Sequence, residues 1–346
     1  MIANPPTPNG MDSTLWPSAH WLALASSFMA SLRAFQARYT LQDCIDRGSF
    51  GQIFRGVTQD GSVVAVKVST DPDSHKEAYF LNAVQHPHVV QMLDAWSSPW
   101  YTAIVMPLEQ TSLHRFVRDA GSQCHPAEVW SICLQMCSGL ACVHQAHIMH
   151  RDIHMGNVFI TEKQGTITAK LGDFGRACLV PIVGLSPSSI DYCPVVYCRA
   201  YRPPEIFCGS GSSLSKQEGD VRYSPSTDCV YGKPADIWAM GCLIWCASSG
   251  KNPFSSGQSD LAVIKHMVWR IGVPELAVCA KLNWTLFGGE LASHVVARWL
   301  TLVPPGSLTH TLPQTVFDIV CLIFQFDPGR RPTGVNLAQR FREMAQ

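Results

Sequence analysis

Net charge is the first thing this sequence lacks. Its 26 Lys and Arg residues are matched by 26 Asp and Glu, so there is no broad basic face to neutralise a phosphate backbone or an anionic membrane. Neither a nucleic-acid nor a membrane partner is expected. Charge of either sign is also scarce, at 15% of the 346 residues against about 25% in ordinary soluble domains, whereas apolar residues reach 47%. That balance excludes disorder and calls for a large buried core, in roughly two lobes or domains at this length. With 25 Gly and 23 Pro the chain is not low-complexity, and no internal repeat is visible. Cysteine is plentiful at 14, but no CxxC pair or accompanying ligand cluster occurs, which argues against structural zinc. Cys133/Cys137 and Cys242/Cys246 stand four apart in apolar stretches, the spacing of one helix face, and read as reduced core residues. A cytoplasmic or nuclear location is the expectation.

Long hydrophobic runs are missing too. The apolar stretch from Trp21 to Ala34 is shorter than the roughly 20 residues a spanning helix needs, and no Lys or Arg precedes Arg33 as a signal peptide requires. Residues 1–38 therefore read as an extension: a tail rich in Pro5, Pro6, Pro8 and Asn9, then a short docking helix.

From Tyr39 to about Pro107 the pattern is that of strands, with Ile45 to Val57 and then Val63 to Val68 after the turn Asp60-Gly61. One helix interrupts it, with Asp71 as cap, Pro72 first, and Ala78, Leu81 and Val84 at helical spacing. Beyond Ser112 helices dominate, predicted over 127–147, 235–250, 259–271 and 314–325. The expected class is α+β: a small strand-rich lobe over 39–107 and a larger helical lobe over 108–346, with a hinge at Met106 to Gln110. The polar, glycine-rich stretch 208–232 reads as an inserted surface loop.

Three clusters carry chemistry. In Gly48-Ser49-Phe50-Gly51, between two strands, missing side chains let backbone amides approach phosphate oxygens, although a glycine pair also suits an ordinary turn. Lys67 stands inside a valine run; alternation puts it on one face with Ala65, opposite Val64, Val66 and Val68, where it must meet an anion. Glu77, ten residues on, is a candidate partner. The second cluster is His150-Arg151-Asp152-Ile153-His154-Met155-Gly156-Asn157, before the strand Val158 to Ile160, and the third is Leu171-Gly172-Asp173-Phe174-Gly175. Two carboxylates and an amide on short loops beside strands supply hard oxygen ligands for Mg²⁺ and a base for a hydroxyl proton, the needs of phosphoryl transfer.

The order and spacing of these strings resemble a eukaryotic protein kinase from about Tyr39 to Arg342. The resemblance implies the bilobal kinase fold and transfer of the γ-phosphate of Mg·ATP to serine or threonine of protein substrates. It makes Asp152 the catalytic base, Asn157 and Asp173 the metal ligands, and Lys67 with Glu77 the phosphate-positioning pair. Gly48, Ser49 and Gly51 would cover the triphosphate. Ile45, Ile53, Ala65 and Phe159 would enclose adenine, although Phe159 also suits plain core; Met106 would be gatekeeper and the backbone of Pro107, Leu108 and Glu109 the hinge. His86 to Val90 resembles the family's HPxIV segment, Tyr201-Arg202-Pro203-Pro204-Glu205 the end of the activation segment (173–205), and Asp236 to Cys242 the helix that anchors the catalytic loop. Glu205 is expected to pair with Arg331. Tyr-Arg-x-Pro-Glu, Pro253-Phe254, Gln258 and Ile271-Gly272-Val273-Pro274 resemble the group of cyclin-dependent, mitogen-activated and glycogen-synthase kinases, with that group's insert at about 275–312. In its proline-directed members an arginine at the place of Arg202 holds a backbone carbonyl and shapes the site for a substrate proline.

Some residues depart from the family's pattern. Asp46 replaces the first loop glycine. His154 stands where serine/threonine kinases carry a lysine, and Cys198 where they carry the threonine that bonds it. A histidine is only partly charged at neutral pH, so activity is expected to fall as His154 titrates. These departures motivate a second reading, a pseudokinase scaffold. Lys67 and Glu77 are too close in sequence for the segment a cyclin grips, which argues against a cyclin-type activator. Arg151 is a candidate receiver for phosphate on Ser186, Ser188, Ser189 or Tyr192.

Overall fold

The structure is a computed structural model and describes residues 32–48, 51–98, 101–120, 125–180, 196–209, 231–254, 260–272 and 312–344. Ser49, Ser186, Ser188, Ser189, Tyr192, nearly all of the expected loop at 208–232 and of the insert at 275–312, and the stretch before Leu32 lie outside these residues.

The chain divides into two units, one of the described residues up to Pro72 with Leu93–Leu108, the other of Asp73–Met92 with the rest from Glu109. In the first, a helix at 32–38 (α1) precedes β1 (Tyr39–Gly48), β2 (Gly51–Thr58), β3 (Val63–Ser69), β4 (Asp94–Ser97) and β5 (Thr102–Pro107). They form one antiparallel sheet in the order β1-β2-β3-β5-β4. The alternation read from β3 is what the sheet uses. Val64 and Val66 bury one face with Trp96, Ala103 and Val105, and Phe35 of α1 packs in that cluster, while all but the last three residues of the apolar stretch Trp21–Ala34 lie outside the described residues. The opposite face carries Ala65 and Lys67.

The second unit opens with α2 (Ser74–Ala83). It starts two residues later than the Asp71-Pro72 signal predicts: Asp73 occupies the N-cap, without a side-chain capping bond. Its buried positions Ser74, Glu77, Phe80 and Leu81 recur every three or four residues. Then come β6 (Thr111–Ser112), α3 (Leu113–Ala120), α4 (Pro126–Gln145), β7 (Ile148–Met149), β8 (Val158–Lys163), β9 (Thr166–Leu171), β10 (Cys178–Leu179), α5 (Pro204–Gly209), α6 (Lys233–Ser249), α7 (Asp260–Ile271), α8 (Gln314–Ile323) and α9 (Gly334–Glu343). The helix expected over 127–147 starts where His125 caps it and Glu128 completes the capping box, with Pro126 at its first position.

Two helices form the core of this unit. α6 is apolar on every side and buried from Ala235 to Ala247, and α4 packs against α9, β9 and α6. Cys133, Cys137, Cys242 and Cys246 are buried free thiols in these two helices, as their spacing predicts. Alone among the described residues α4 is long and apolar enough to cross a membrane, but half of its most apolar window is buried in this core. Gly139 is required here: a Cβ would come within 2.5 Å of the His88 carbonyl, so the helix can lie against the His86–Val90 segment only without one. That segment is tied to β9 by Val90 N donating to Leu171 O and Leu171 N to His88 O, both 2.9 Å.

Candidate active site

In the first unit, the cross-strand register decides which side chains share a surface. Ile53 is paired with Lys67, Lys67 with Ile104, and Ala65 with Met106, so Ile53, Ala65, Lys67 and Met106 project from one face. Lys67 is buried there. Pro107 is paired with Val64, on the other parity, and Ile45 is exposed in an irregular stretch of β1. Gly48 faces Gly51 across the end of the β1–β2 hairpin. Gly51 has φ +136°, and a Cβ on it would lie 2.3 Å from the Val68 carbonyl, so strand packing alone demands this glycine. Asp46 turns its carboxylate to its neighbour, accepting from Arg47 N at 2.8 Å.

In the second unit Asp152, His154, Asn157 and Asp173 lie on two loops beside β8 and β9. Asn157 Nδ2 donates to the Asp152 carbonyl at 2.9 Å and to its Oδ2 at 3.3 Å. This fixes the carboxylate and turns the amide oxygen of Asn157 away from it, a suitable hard ligand for a divalent cation. Arg176 Nε and His154 Nε2 each stand 3.8 Å from Asp152 Oδ2. Asp173 has a left-handed φ of +60° and accepts from Gly175 N at 3.3 Å. The two loops are tied together: Gly172 N donates to Asn157 O at 2.9 Å, and the buried ring of His150 bridges them. Its Nδ1 accepts from Asp152 N at 3.3 Å while Nε2 donates to Gly172 O at 3.0 Å. Burial pushes the pKa of His150 down, which keeps the ring neutral, as a bridge with one donor and one acceptor requires. Phe159 is half-buried, its ring so close over Gly172 that a Cβ there would lie 2.8 Å away. Glu77 is buried on α2. Glu109 gives its carboxylate to Lys170 Nζ at 2.7 Å and to the Thr161 hydroxyl.

Asp236 at the start of α6 holds the loop before Asp152. It accepts from His150 N (2.8 Å), Arg151 N (2.9 Å), the Tyr197 hydroxyl (2.7 Å) and His144 Nε2 (3.0 Å). Burial alone would raise its pKa, but these partners, led by His144, pull it below the usual value and keep the carboxylate charged. His144 and Tyr197 were missed by sequence reasoning. A histidine inside the apolar run 127–147 was the available signal for the first; nothing local marked the second. Tyr197 also donates its N–H to Arg151 O at 3.0 Å, which joins the end of the activation segment to the catalytic loop.

Two expectations change. Arg151 is buried and already engaged, with Nη1 donating to the Tyr231 hydroxyl at 3.2 Å and Nε to Arg176 O at 2.5 Å, so its guanidinium is not simply open to a phosphate. His154 is not poised to titrate near neutrality. Burial lowers its pKa, but the nearby Asp152 carboxylate and Cys198 sulfur outweigh burial and raise it to about 10. One contact opposes the charged ring: Gly156 N donates to Nδ1 at 3.0 Å, and that lone pair is lost when Nδ1 gains a proton. With the balance raised, the imidazolium persists below pH about 10 and is lost only above it. Phosphoryl transfer is therefore expected to show no descending limb from His154 between about pH 6 and 8. Matching profiles for the wild type and His154→Lys would agree; a fall confined to the wild type would restore the simpler view.

The Arg331 guanidinium forks onto Glu205, Nη1 to Oε1 and Nη2 to Oε2, both 2.7 Å, as the sequence predicts. The description "Protein kinase domain" matches residues 39–342. The chain belongs to the protein kinase family. Among its curated relatives, cyclin-dependent kinase D-1 of Oryza sativa subsp. japonica is 26% identical over 88% of this chain and 66% of its own length. Serine/threonine-protein kinase crk1 of Schizosaccharomyces pombe is 25% identical over 85% of this chain and 81% of its own. Mitogen-activated protein kinase 9 of Arabidopsis thaliana is 26% identical over 86% and 56%. The chain thus spans between about half and four fifths of the relatives it matches. These relatives include cyclin-dependent and mitogen-activated kinases, which this chain resembles, and the protein kinase family uses ATP, a divalent metal and protein substrates.

Proposed function

We propose that this kinase transfers the γ-phosphate of Mg·ATP to serine or threonine hydroxyls that are followed by proline. One observation carries the chemistry: the Asp152 carboxylate is held by Asn157 on a loop that Asp236 fixes through two backbone amides, His150 N and Arg151 N. Asp152 orients the attacking hydroxyl and takes its proton. Asp173 and Asn157 present the oxygens that suit Mg²⁺, which supplies charge neutralisation at the phosphates. Lys67 takes the α and β phosphates, and the amides near Gly48, Ser49 and Gly51 cover the triphosphate. The family resemblance gives adenine to Ile45, Ile53, Ala65 and Met106 with the backbone of Pro107 and Leu108 in the first unit, and to Phe159 and the backbone of Glu109 in the second. The charged ring of His154, with Arg176, balances the carboxylate and the developing phosphate charge where the family uses a lysine.

Proline direction rests on Arg202. Its Nε donates to Val196 O at 3.1 Å and its Nη2 to Tyr197 O at 3.3 Å, and Tyr197 has φ +63°. Those carbonyls are engaged by the protein itself, so a substrate residue with an N–H finds fewer acceptors there. Proline has no N–H to satisfy. An unmade buried donor costs about 1–3 kcal/mol, so kcat/KM for a Ser-Pro peptide is expected to exceed that for its Ser-Ala counterpart by roughly 5- to 150-fold. Equal values would remove proline direction and leave the kinase reading intact. The Lys67–Glu77 spacing supports activation without a cyclin-type partner, and the reduced cysteines support a cytoplasmic or nuclear location.

A further inference from the structure

His154 and Cys198, the two positions where the sequence leaves the pattern around the catalytic base, meet in space. One ligand atom of each lies within 4.8 Å of the other and of an Asp152 carboxylate oxygen. Asp152 is buried, His154 half-buried and Cys198 exposed, so the cluster is open to solvent on one side. An imidazole nitrogen, a thiolate and a carboxylate are the donor types that Zn²⁺ binds, and two ligands of one tetrahedral ion stand about 3.3–3.7 Å apart. His154 Nε2 and Asp152 Oδ2 are 3.8 Å apart, close to that spacing. A lysine and a threonine in the two variant places would leave Asp152 as the sole ligand. Both departures add a donor to one site, and the thiolate is a ligand that Mg²⁺ does not favour.

We propose that Asp152, His154 and Cys198 form an inhibitory site for a borderline-soft divalent cation of the zinc class, with water in the fourth position. On binding, the Cys198 thiol and the Nε2 of the His154 imidazolium each give a proton to solvent, and a metal–sulfur and a metal–nitrogen bond form with no change of oxidation state. Two features keep the site weaker than a structural zinc centre. The metal must displace a proton from an imidazolium that persists to about pH 10, and the charge of Arg176 lies 3.8 Å from Asp152 Oδ2. Occupancy engages the carboxylate that receives the substrate proton. It stops phosphoryl transfer without engaging Lys67 or Asp173. The inhibition rests on the kinase reading above; the binding does not.

The test titrates the full, metal-free chain with Co²⁺, a spectroscopically visible stand-in for Zn²⁺. A thiolate-to-cobalt charge-transfer band in the near ultraviolet is expected, abolished by added Zn²⁺, absent from Cys198→Thr and diminished in His154→Lys. A band unchanged in Cys198→Thr assigns the metal to another cysteine and overturns the site, as does no band at all. In phosphoryl transfer at saturating Mg·ATP, the half-inhibiting free Zn²⁺ concentration is expected to rise about tenfold or more in Cys198→Thr, with activity restored by chelator. Equal sensitivity of the two proteins overturns the inhibition. A band in a protein that transfers no phosphate keeps the site and sinks the kinase reading; transfer without a band does the reverse.

Discussion

Replacing Asp152 with Asn is expected to lower the rate of phosphate transfer from Mg·ATP to protein substrates by about 10²–10⁴-fold, the usual contribution of a positioned general base. Asparagine keeps the shape of the side chain and its contact with Asn157, so the loss falls on proton acceptance rather than on loop structure. ATP affinity is expected to change little, because ATP-binding roles are assigned to Lys67, the glycine hairpin and Asp173. Asp173→Asn should instead weaken both metal-dependent nucleotide binding and transfer. The two variants together separate proton transfer from metal binding, read by radiolabel incorporation and by nucleotide titration. A wild type that binds ATP yet transfers no more phosphate than Asp152→Asn would establish the scaffold reading in place of catalysis.

Glu205→Gln is expected to destabilise the domain by about 3–5 kcal/mol, the cost of leaving one member of a buried ion pair without its counter-charge. The Arg331 side chain is fully enclosed; besides its fork onto Glu205 it donates to Gln325 O and Pro234 O, both at 2.9 Å, and its guanidinium lies 5.0 Å from the Trp238 ring centre. Losing the carboxylate strands that charge beside α6, the helix whose first turn carries Asp236. Denaturant unfolding should show the loss, and the double variant Glu205→Gln/Arg331→Met should be less destabilised than the sum of the two single changes. Additive losses would mean that the pair contributes nothing as a pair. Catalysis is expected to fall along with stability in Glu205→Gln, whereas Asp152→Asn should unfold like the wild type.

What the sequence determined about this protein is mostly local. The valine alternation of β3 assigned Lys67 its face, because side chains in a strand alternate whatever the strand pairs with. The apolar period placed α4, α6, α7 and α8, each within a few residues, and the four-residue cysteine spacing placed thiols in the core of α4 and α6. Asp152, Asn157 and Asp173 stood out because two carboxylates and an amide on short loops beside strands are the groups that phosphoryl transfer would use. The Glu205–Arg331 pair was legible only through the resemblance to a family, since no local pattern joins residues so far apart.

The tertiary structure decided the partners. Asp236 gathers His144, two loop amides and Tyr197, and Arg151 finds the Tyr231 hydroxyl; in each case burial forces a polar group to take whatever donor or acceptor the chain crossing supplies. The helix start moved from Pro72 to Ser74 because Asp73, not Asp71, occupies the cap. His154 changed most. By its own chemistry it titrates near neutrality, but the carboxylate and sulfur that folding sets around it hold its charge well above that range and bring three metal-ligating atoms together. Sequence spacing sets what a segment can form by itself, whereas charge state and ligand clusters depend on side chains from segments distant in the chain, which only folding brings together.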